Sequence, residues 1–236
     1  MAGTVAPNIV TDGLVLYLDA ANIKSYPGSG TVWNEMARNN NGTLTNGPTF
    51  NSANGGSIVF DGVDDYVNIP QFVSTSQNMS FSLWFNPVSL QAGVAVNTIF
   101  LQSENASTYT IRLYRNTNTG TFPQNELAWL MYYENASSTV SSILPRYAYS
   151  LNTWTNTVLT FNSTGEYRTY INGTLFNTTQ ATNFVRWYTP QGFLRIGGAP
   201  SGPLNGNVSS LGIWEKSLSA QEILQNYNAT KTRFGL

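Results

Sequence analysis

In MSFSLWF, residues 79–85, Phe81, Leu83 and Phe85 alternate with Ser80, Ser82 and Trp84. A period of two puts the first set on one face of an extended strand and the second on the other, which a helix of 3.6 residues per turn cannot do. Runs of this kind fill the chain. LVLYL (14–18), SIVF (57–60), DYVNI (65–69), TYTIRLYR (108–115), ELAWLMYY (126–133), WTNTVLTF (154–161), EYRTYI (166–171), FLRIG (193–197) and NVSSLGIW (207–214) all read as strands. Turn residues separate them at roughly the 8–12-residue spacing of a sandwich or barrel. Asn172-Gly173, between EYRTYI and TLF, predicts a two-residue type I′ hairpin, because both positions must accept φ > 0.

One segment breaks the pattern. In LSAQEILQNY, Ser219 fits a helix N-cap and Glu222 the third helical position, the two halves of a capping box, and Leu218 with Ile223 fit a hydrophobic staple. Ile223, Leu224 and Tyr227 then form a short apolar face, predicting two or three turns of helix over a sheet edge or end. The Gly/Asn/Ser-rich stretch 39–57 reads as loops between short strands. With no linker or long repeat, residues 1–236 read as one domain, a normal size for an all-β unit.

Composition removes several classes of chemistry. There is no Cys and no His, so disulfides, thiolate metal sites, imidazole ligands and Ser-His-Asp or Cys-His nucleophile systems are unavailable within one chain. Charged residues make up 10% of the chain and the net charge is −1, with no Lys/Arg cluster of the kind a nucleic-acid footprint needs. The polar surface must be built mainly from Asn, Thr and Ser. MAGTVAPNIVTDG has neither the basic nor the apolar region of a signal peptide, and no window approaches a membrane span. Synthesis in a cytoplasm followed by work outside the cell, as on a virus particle released by lysis, fits both. On that reading the Asn-X-Ser/Thr triplets at Asn41, Asn105, Asn162, Asn172 and Asn228 are chance in an Asn/Thr/Ser-rich chain.

FDGVDDYVNIP (60–70) gathers Asp61, Asp64 and Asp65. The order D-G-V-D-D is not that of an EF-hand loop, which needs alternating oxygen ligands and a bidentate Glu; the next Glu is Glu104. The sequence favours a turn, with Asp61-Gly62 at the bend and Asp side chains accepting from local backbone N–H groups. Calcium at Asp61 or Asp64 is the alternative and the one cofactor weighed; catalysis comes last.

Sugars offer apolar C–H faces to aromatic rings and hydroxyls to polar neighbours. Trp84 and Trp154 sit in strand patterns and read as core. Trp187 and Tyr188 in NFVRWYTPQG look loop-like beside Arg186 and are the leading candidates for an exposed binding surface, with a plug of the sandwich end or an oligomer contact as the competing reading. Trp129 and Tyr132, on a strand that also carries Tyr133, follow. Arg112 and Arg115 come next, with plain solvation as their competing reading.

GLVLYLDAAN (13–22), FDGVDDYVNI (60–69), FSLWFNP (81–87), NTWTNTVLTFNSTGEYRTYINGTL (152–175) and LRIGG…LNGNVSSLGIWEKSLSAQEI (194–223) resemble, in order, the laminin-G-like branch of the concanavalin-A-like jelly rolls. Ser209-Ser210 stand where that family often has an Asp in its last strand, a departure that weakens the case for a family-type rim cation. GLVLYLDAAN and the Asn/Thr-rich style also look like modules of tailed-phage virion proteins. The resemblance implies an all-β, two-sheet antiparallel jelly-roll sandwich with one short C-terminal helix, and it puts Trp33 and Trp214 at core positions. Sugar-cleaving relatives carry an E-x-D-x-x-E strand, which this chain lacks; its seven Glu are scattered singly. The expected function is therefore non-catalytic attachment, as a virion or surface module that binds host glycans, other virion or surface proteins, or further copies of itself. A purely structural subunit and a polysaccharide hydrolase are the alternatives.

Overall fold

A computed structural model of the protein describes residues 8–89, 96–105, 108–116, 126–137, 140–143, 145–189, 192–198 and 202–236. The strands are β1 (Leu14–Asp19), β2 (Val32–Trp33), β3 (Gly42–Thr45), β4 (Thr49–Asn51), β5 (Ser57–Asp61), β6 (Tyr66–Ile69), β7 (Met79–Pro87), β8 (Val96–Asn105), β9 (Thr108–Asn116), β10 (Glu126–Asn135), β11 (Val140–Ile143), β12 (Arg146–Ala148), β13 (Thr155–Phe161), β14 (Glu166–Ile171), β15 (Thr174–Gln180), β16 (Phe184–Trp187), β17 (Phe193–Ile196) and β18 (Asn205–Trp214). Helix α1 (Ala220–Thr230) and a 3-10 turn (Lys231–Phe234) close the chain.

The strands form two antiparallel sheets. The eight-stranded sheet runs β15-β14-β13-β7-β18-β5-β4, with β1 also on β18. The ten-stranded sheet runs β11-β10-β9-β8-β17-β6-β3-β2, with β12 and β16 also on β10. Each inner face takes alternate residues: Phe81, Leu83 and Phe85 of β7 and Leu159 and Phe161 of β13 from one sheet, Ile111 and Leu113 of β9 and Trp129 and Met131 of β10 from the other, all fully buried. Phe81, Phe100 and Trp129 meet across the interface with ring centroids 5.9–6.4 Å apart. The Trp129 Nε1–H donates to Thr157 Oγ1 of the opposite sheet at 2.9 Å, which satisfies a polar atom that burial would otherwise penalise.

Both faces of MSFSLWF are buried, with Ser82 half-buried. Helix α1 and the 3-10 turn lie over the outer face of the eight-stranded sheet, so they cover a face and not an edge. There Val10, Val158, Tyr170, Trp214, Leu218 and Ile223 form a second cluster. Trp84 stacks on Phe234 at 4.3 Å and on Tyr227 at 5.7 Å. The small Ser80 lets the chain pass closely: its hydroxyl donates to Lys216 O (2.7 Å) and accepts from Leu218 N–H (2.8 Å). Of the expected apolar helix face, Ile223 is buried, whereas Leu224 is 47% exposed.

The local signals that anchor this layer take the expected form. Asn172 (φ 49°) and Gly173 (φ 75°) make the hairpin between β14 and β15, and a Cβ on Gly173 would lie 2.8 Å from the Tyr227 ring. The Ser219 hydroxyl accepts from Glu222 N–H, and the Ser219 N–H donates to the Glu222 carboxylate at 2.9 Å. Burial pushes the Glu222 pKa up, but hydrogen bonds from Lys216 and Ser219 outweigh it and hold the carboxyl below its usual range. Its contribution to stability is thus present above the ordinary glutamate pKa and is lost as pH falls through the lowered one. Replacing Ser219 with alanine is expected to cost about 1 kcal/mol, measured as a shift in urea midpoint at unchanged slope.

Candidate functional site

The aromatic candidates divide by which way their strands face. Segment 184–187 is a strand and not a loop: β16 pairs with β10 in the register Tyr133↔Trp187 and Glu134↔Arg186. That register turns Trp187 inward beside Tyr133. Trp187 is 1% exposed, packed by Tyr133, Phe161, Tyr167 and Phe184 at ring separations of 4.7–6.3 Å, and its Nε1–H donates to Asn162 O at 2.7 Å. Trp129 is likewise core. Neither is an exposed sugar platform. Trp84 and Trp154 are buried, as their strand patterns suggest, and so are Trp33 and Trp214, as the family resemblance implies.

The other candidates lie on the outer face of the ten-stranded sheet. Arg186 is exposed, its Nε–H donating to Glu134 Oε2 at 2.6 Å, and its guanidinium stands 6.0 Å from the Tyr188 ring. Tyr188 is half-buried, and its N–H bonds to the carbonyl of half-buried Tyr132. Arg112 shares the face, but it lies along the sheet and does not reach into solvent. It is 9% exposed, donates through Nε to Thr98 Oγ1 at 2.9 Å, and sits 5.3 Å from the Tyr114 ring. The side chain of Arg115 lies outside the described residues. Arg186, Tyr188 and Tyr132 are therefore brought together, while Trp187 and Trp129 are turned away from them.

The same face holds a cleft that the sequence reading did not single out. Asn46, Val63, Asp64, Tyr66, Arg195, Gly198 and Pro203 line a space of about 200 Å³. Arg195 of β17 lies between two rings, 4.5 Å from Tyr66 of β6 and 4.7 Å from Phe193. No carboxylate pairs with it among the described residues, and its buried Nε–H has no partner. Strand pairing sets Arg195 beside Asn68, and Asn68 beside Thr43, so one row of the face carries a guanidinium, an amide and a hydroxyl. A signal was present: the alternation in FLRI puts Phe193 and Arg195 on one outward face.

FDGVDDYVNIP forms the turn its residues favour. Asp61 ends β5, Gly62 takes φ 82°, Asp61 Oδ1 accepts from Val63 N–H (2.8 Å), and Asp65 Oδ2 accepts from Asp61 N–H (3.0 Å). Asn46 braces the Asp64 carbonyl and Asn205 the Asp61 carbonyl. One carboxylate oxygen from each of Asp61, Asp64 and Asp65 lies within 4.8 Å of the others, and Asp65 is buried. Burial pushes the Asp65 pKa up; the Asp61 N–H opposes this, and the charges of Asp61 and Asp64 add to it. These acids stand side by side on one turn, whereas the two carboxyls of a glycosidase flank the scissile bond from opposite sides. Of the other described carboxylates, Glu134 is paired with Arg186, Glu166 with Arg168, Glu215 with Arg38, Asp19 with Arg233, and both Glu222 and Asp12 with Lys216, while buried Glu35 accepts from the backbone N–H groups of Tyr17, Ala37 and Arg38. The last-strand serines are structural here, with buried Ser209 donating to Gly56 O at 2.8 Å.

Two stacked antiparallel sheets with a polar and aromatic outer face define a jelly-roll sandwich. The Laminin_G_3 model, of the concanavalin A-like lectin/glucanases superfamily, matches residues 61–224, and the chain belongs to that family. No curated protein matches it. Among solved structures, it is similar to Trypanosoma rangeli sialidase in complex with the inhibitor DANA (15% identity, TM-score 0.67, 98% of this chain and 36% of that one). It is also similar to the botulinum neurotoxin serotype D binding domain (16%, 0.65, 92% and 51%) and to the serotype D ligand binding domain in complex with N-acetylneuraminic acid (16%, 0.67, 92% and 50%). The chain thus spans from a third to about half the length of these proteins, and at such identities the likeness is one of fold. No described helix is long and apolar enough to cross a membrane.

Proposed function

We propose that this domain is a non-catalytic attachment module that binds acidic glycans in the Arg195 cleft. The observation that carries this is a guanidinium held beside two aromatic rings, without a carboxylate partner among the described residues, in a cleft that also presents Asn46. Its fork can take a sugar carboxylate in two hydrogen bonds, while the flanking rings hold the guanidinium in place and exclude water. Membership of a lectin superfamily and the fold it shares with a protein solved with N-acetylneuraminic acid support the ligand class. A weakly charged, Asn/Thr-rich surface suits display outside the cell, on a virion or other particle, beside further copies and other virion or surface proteins. Multiple copies would turn a weak single site into firm attachment.

On a glycan array, multimerised protein is expected to bind glycans carrying uronic or sialic acids and to release no reducing ends. Arg195→Ala should weaken binding about tenfold or more, since a hydrogen bond to a charged group is worth about 1.5–3 kcal/mol, while its melting profile stays cooperative. Equal binding by Arg195→Ala would remove the cleft from the account. One observation favours a purely structural subunit instead: β15 ends its sheet with Leu175 and Phe176 about half exposed. That reading requires wild-type protein to bind no glycan.

A further inference from the structure

We propose that Asp61, Asp64 and Asp65 form a calcium site at the rim of the cleft. Three carboxylates meet within 4.8 Å, and no Lys or Arg pairs with any of them among the described residues. Asp61 and Asp64 are exposed, so their mutual repulsion is softened by water. Asp65 is not: it is 3% exposed, and its Oδ1 is buried without a hydrogen-bond partner among the described residues, while Oδ2 holds the Asp61 N–H. An unpartnered buried carboxylate oxygen beside two further carboxylates is a costly arrangement that a bound cation relieves.

The donors identify the cation. All are carboxylate oxygens, and the chain has no His or Cys, so the site favours a hard ion over zinc or copper. Calcium takes about six to eight oxygens in a flexible shell, whereas magnesium demands near-ideal octahedral geometry and gives up its water reluctantly. Three carboxylates gathered within 4.8 Å on one turn suit the more tolerant of the two shells. Water would complete the shell on the exposed side. The site is separate from the last-strand position held by Ser209 and Ser210, and it stands whether or not the cleft takes a sugar.

The test contains no sugar. Chelator-treated protein is titrated with calcium chloride by calorimetry and melted with and without the ion. Uptake of one calcium per chain and a rise in melting temperature are expected, with a weaker response to magnesium. An Asp61→Asn/Asp64→Asn double variant changes only exposed side chains. It should melt like wild type in chelator yet show neither uptake nor shift. Absence of both effects in wild type at about 10 mM calcium, above the weakest range of extracellular sites, overturns the proposal. So does their survival in the double variant.

Discussion

Replacing Trp187 with alanine is expected to destabilise the fold by about 3–5 kcal/mol, the usual cost of emptying a buried Trp site. The indole is enclosed by four aromatic rings and fully desolvated, and the lost volume lies where β16 is stitched to β10. Those rings come from strands of both sheets, each held by its own pairing, which limits how far the cavity can close. The backbone carbonyl of Asn162 also loses its donor. Trp187→Phe, which keeps most of the volume and loses only that hydrogen bond, should cost clearly less. Urea denaturation followed by far-UV circular dichroism reads the difference. A variant with unchanged stability and abolished glycan binding would return Trp187 to the ligand site.

The fate of Trp187 shows what period-two reasoning reaches. Where a strand carries its own alternation, as in β7, the inward residues are those the pattern marks. The type I′ turn and the capping box are equally local and take their expected form. In NFVRWYTPQG the facing of Trp187 is set by a partner strand more than fifty residues earlier, and nothing local encodes that register. Short strands in 39–57, such as β3 and β4, are Asn/Thr-rich pieces that become strands only by pairing with β6 and β5. The cleft divides the same way. The outward position of Arg195 is legible, but its partnership with Tyr66 comes from β6 lying beside β17. Asp65 carried a local signal: Val67 and Ile69 point inward, and the same parity extended back two residues turns Asp65 inward as well.

Removing the Arg233 guanidinium should be comparably damaging for an electrostatic reason. Asp19, at the end of β1, is 2% exposed, and Arg233 contacts both of its oxygens at 2.8 and 2.9 Å across 214 residues of chain. Ala21 N–H and the Tyr17 hydroxyl supply the remaining hydrogen bonds. Burial first and the Asp19 charge second push the Tyr17 pKa up, with Arg233 opposing, so the three groups share one poorly hydrated pocket. Taking away one partner of such a pair leaves a buried charge uncompensated, typically a loss of about 3–5 kcal/mol. The Arg233 side chain is 29% exposed, which places the expected cost of Arg233→Ala near the lower end. Removing Arg38, 57% exposed in its pair with Glu215, should cost under about 1 kcal/mol. Arg233 is also followed by Phe234, which stacks on Trp84 and Trp154, so loss of the ion pair loosens the turn that caps the outer aromatic layer. Two measurements separate charge from packing. Arg233→Met keeps most of the stem yet should lose nearly as much as alanine, whereas Asp19→Asn combined with Arg233→Met, which removes both charges, should recover a large part of the loss. If the double variant is no better than Arg233→Met alone, the stranded carboxylate is not the source of the cost.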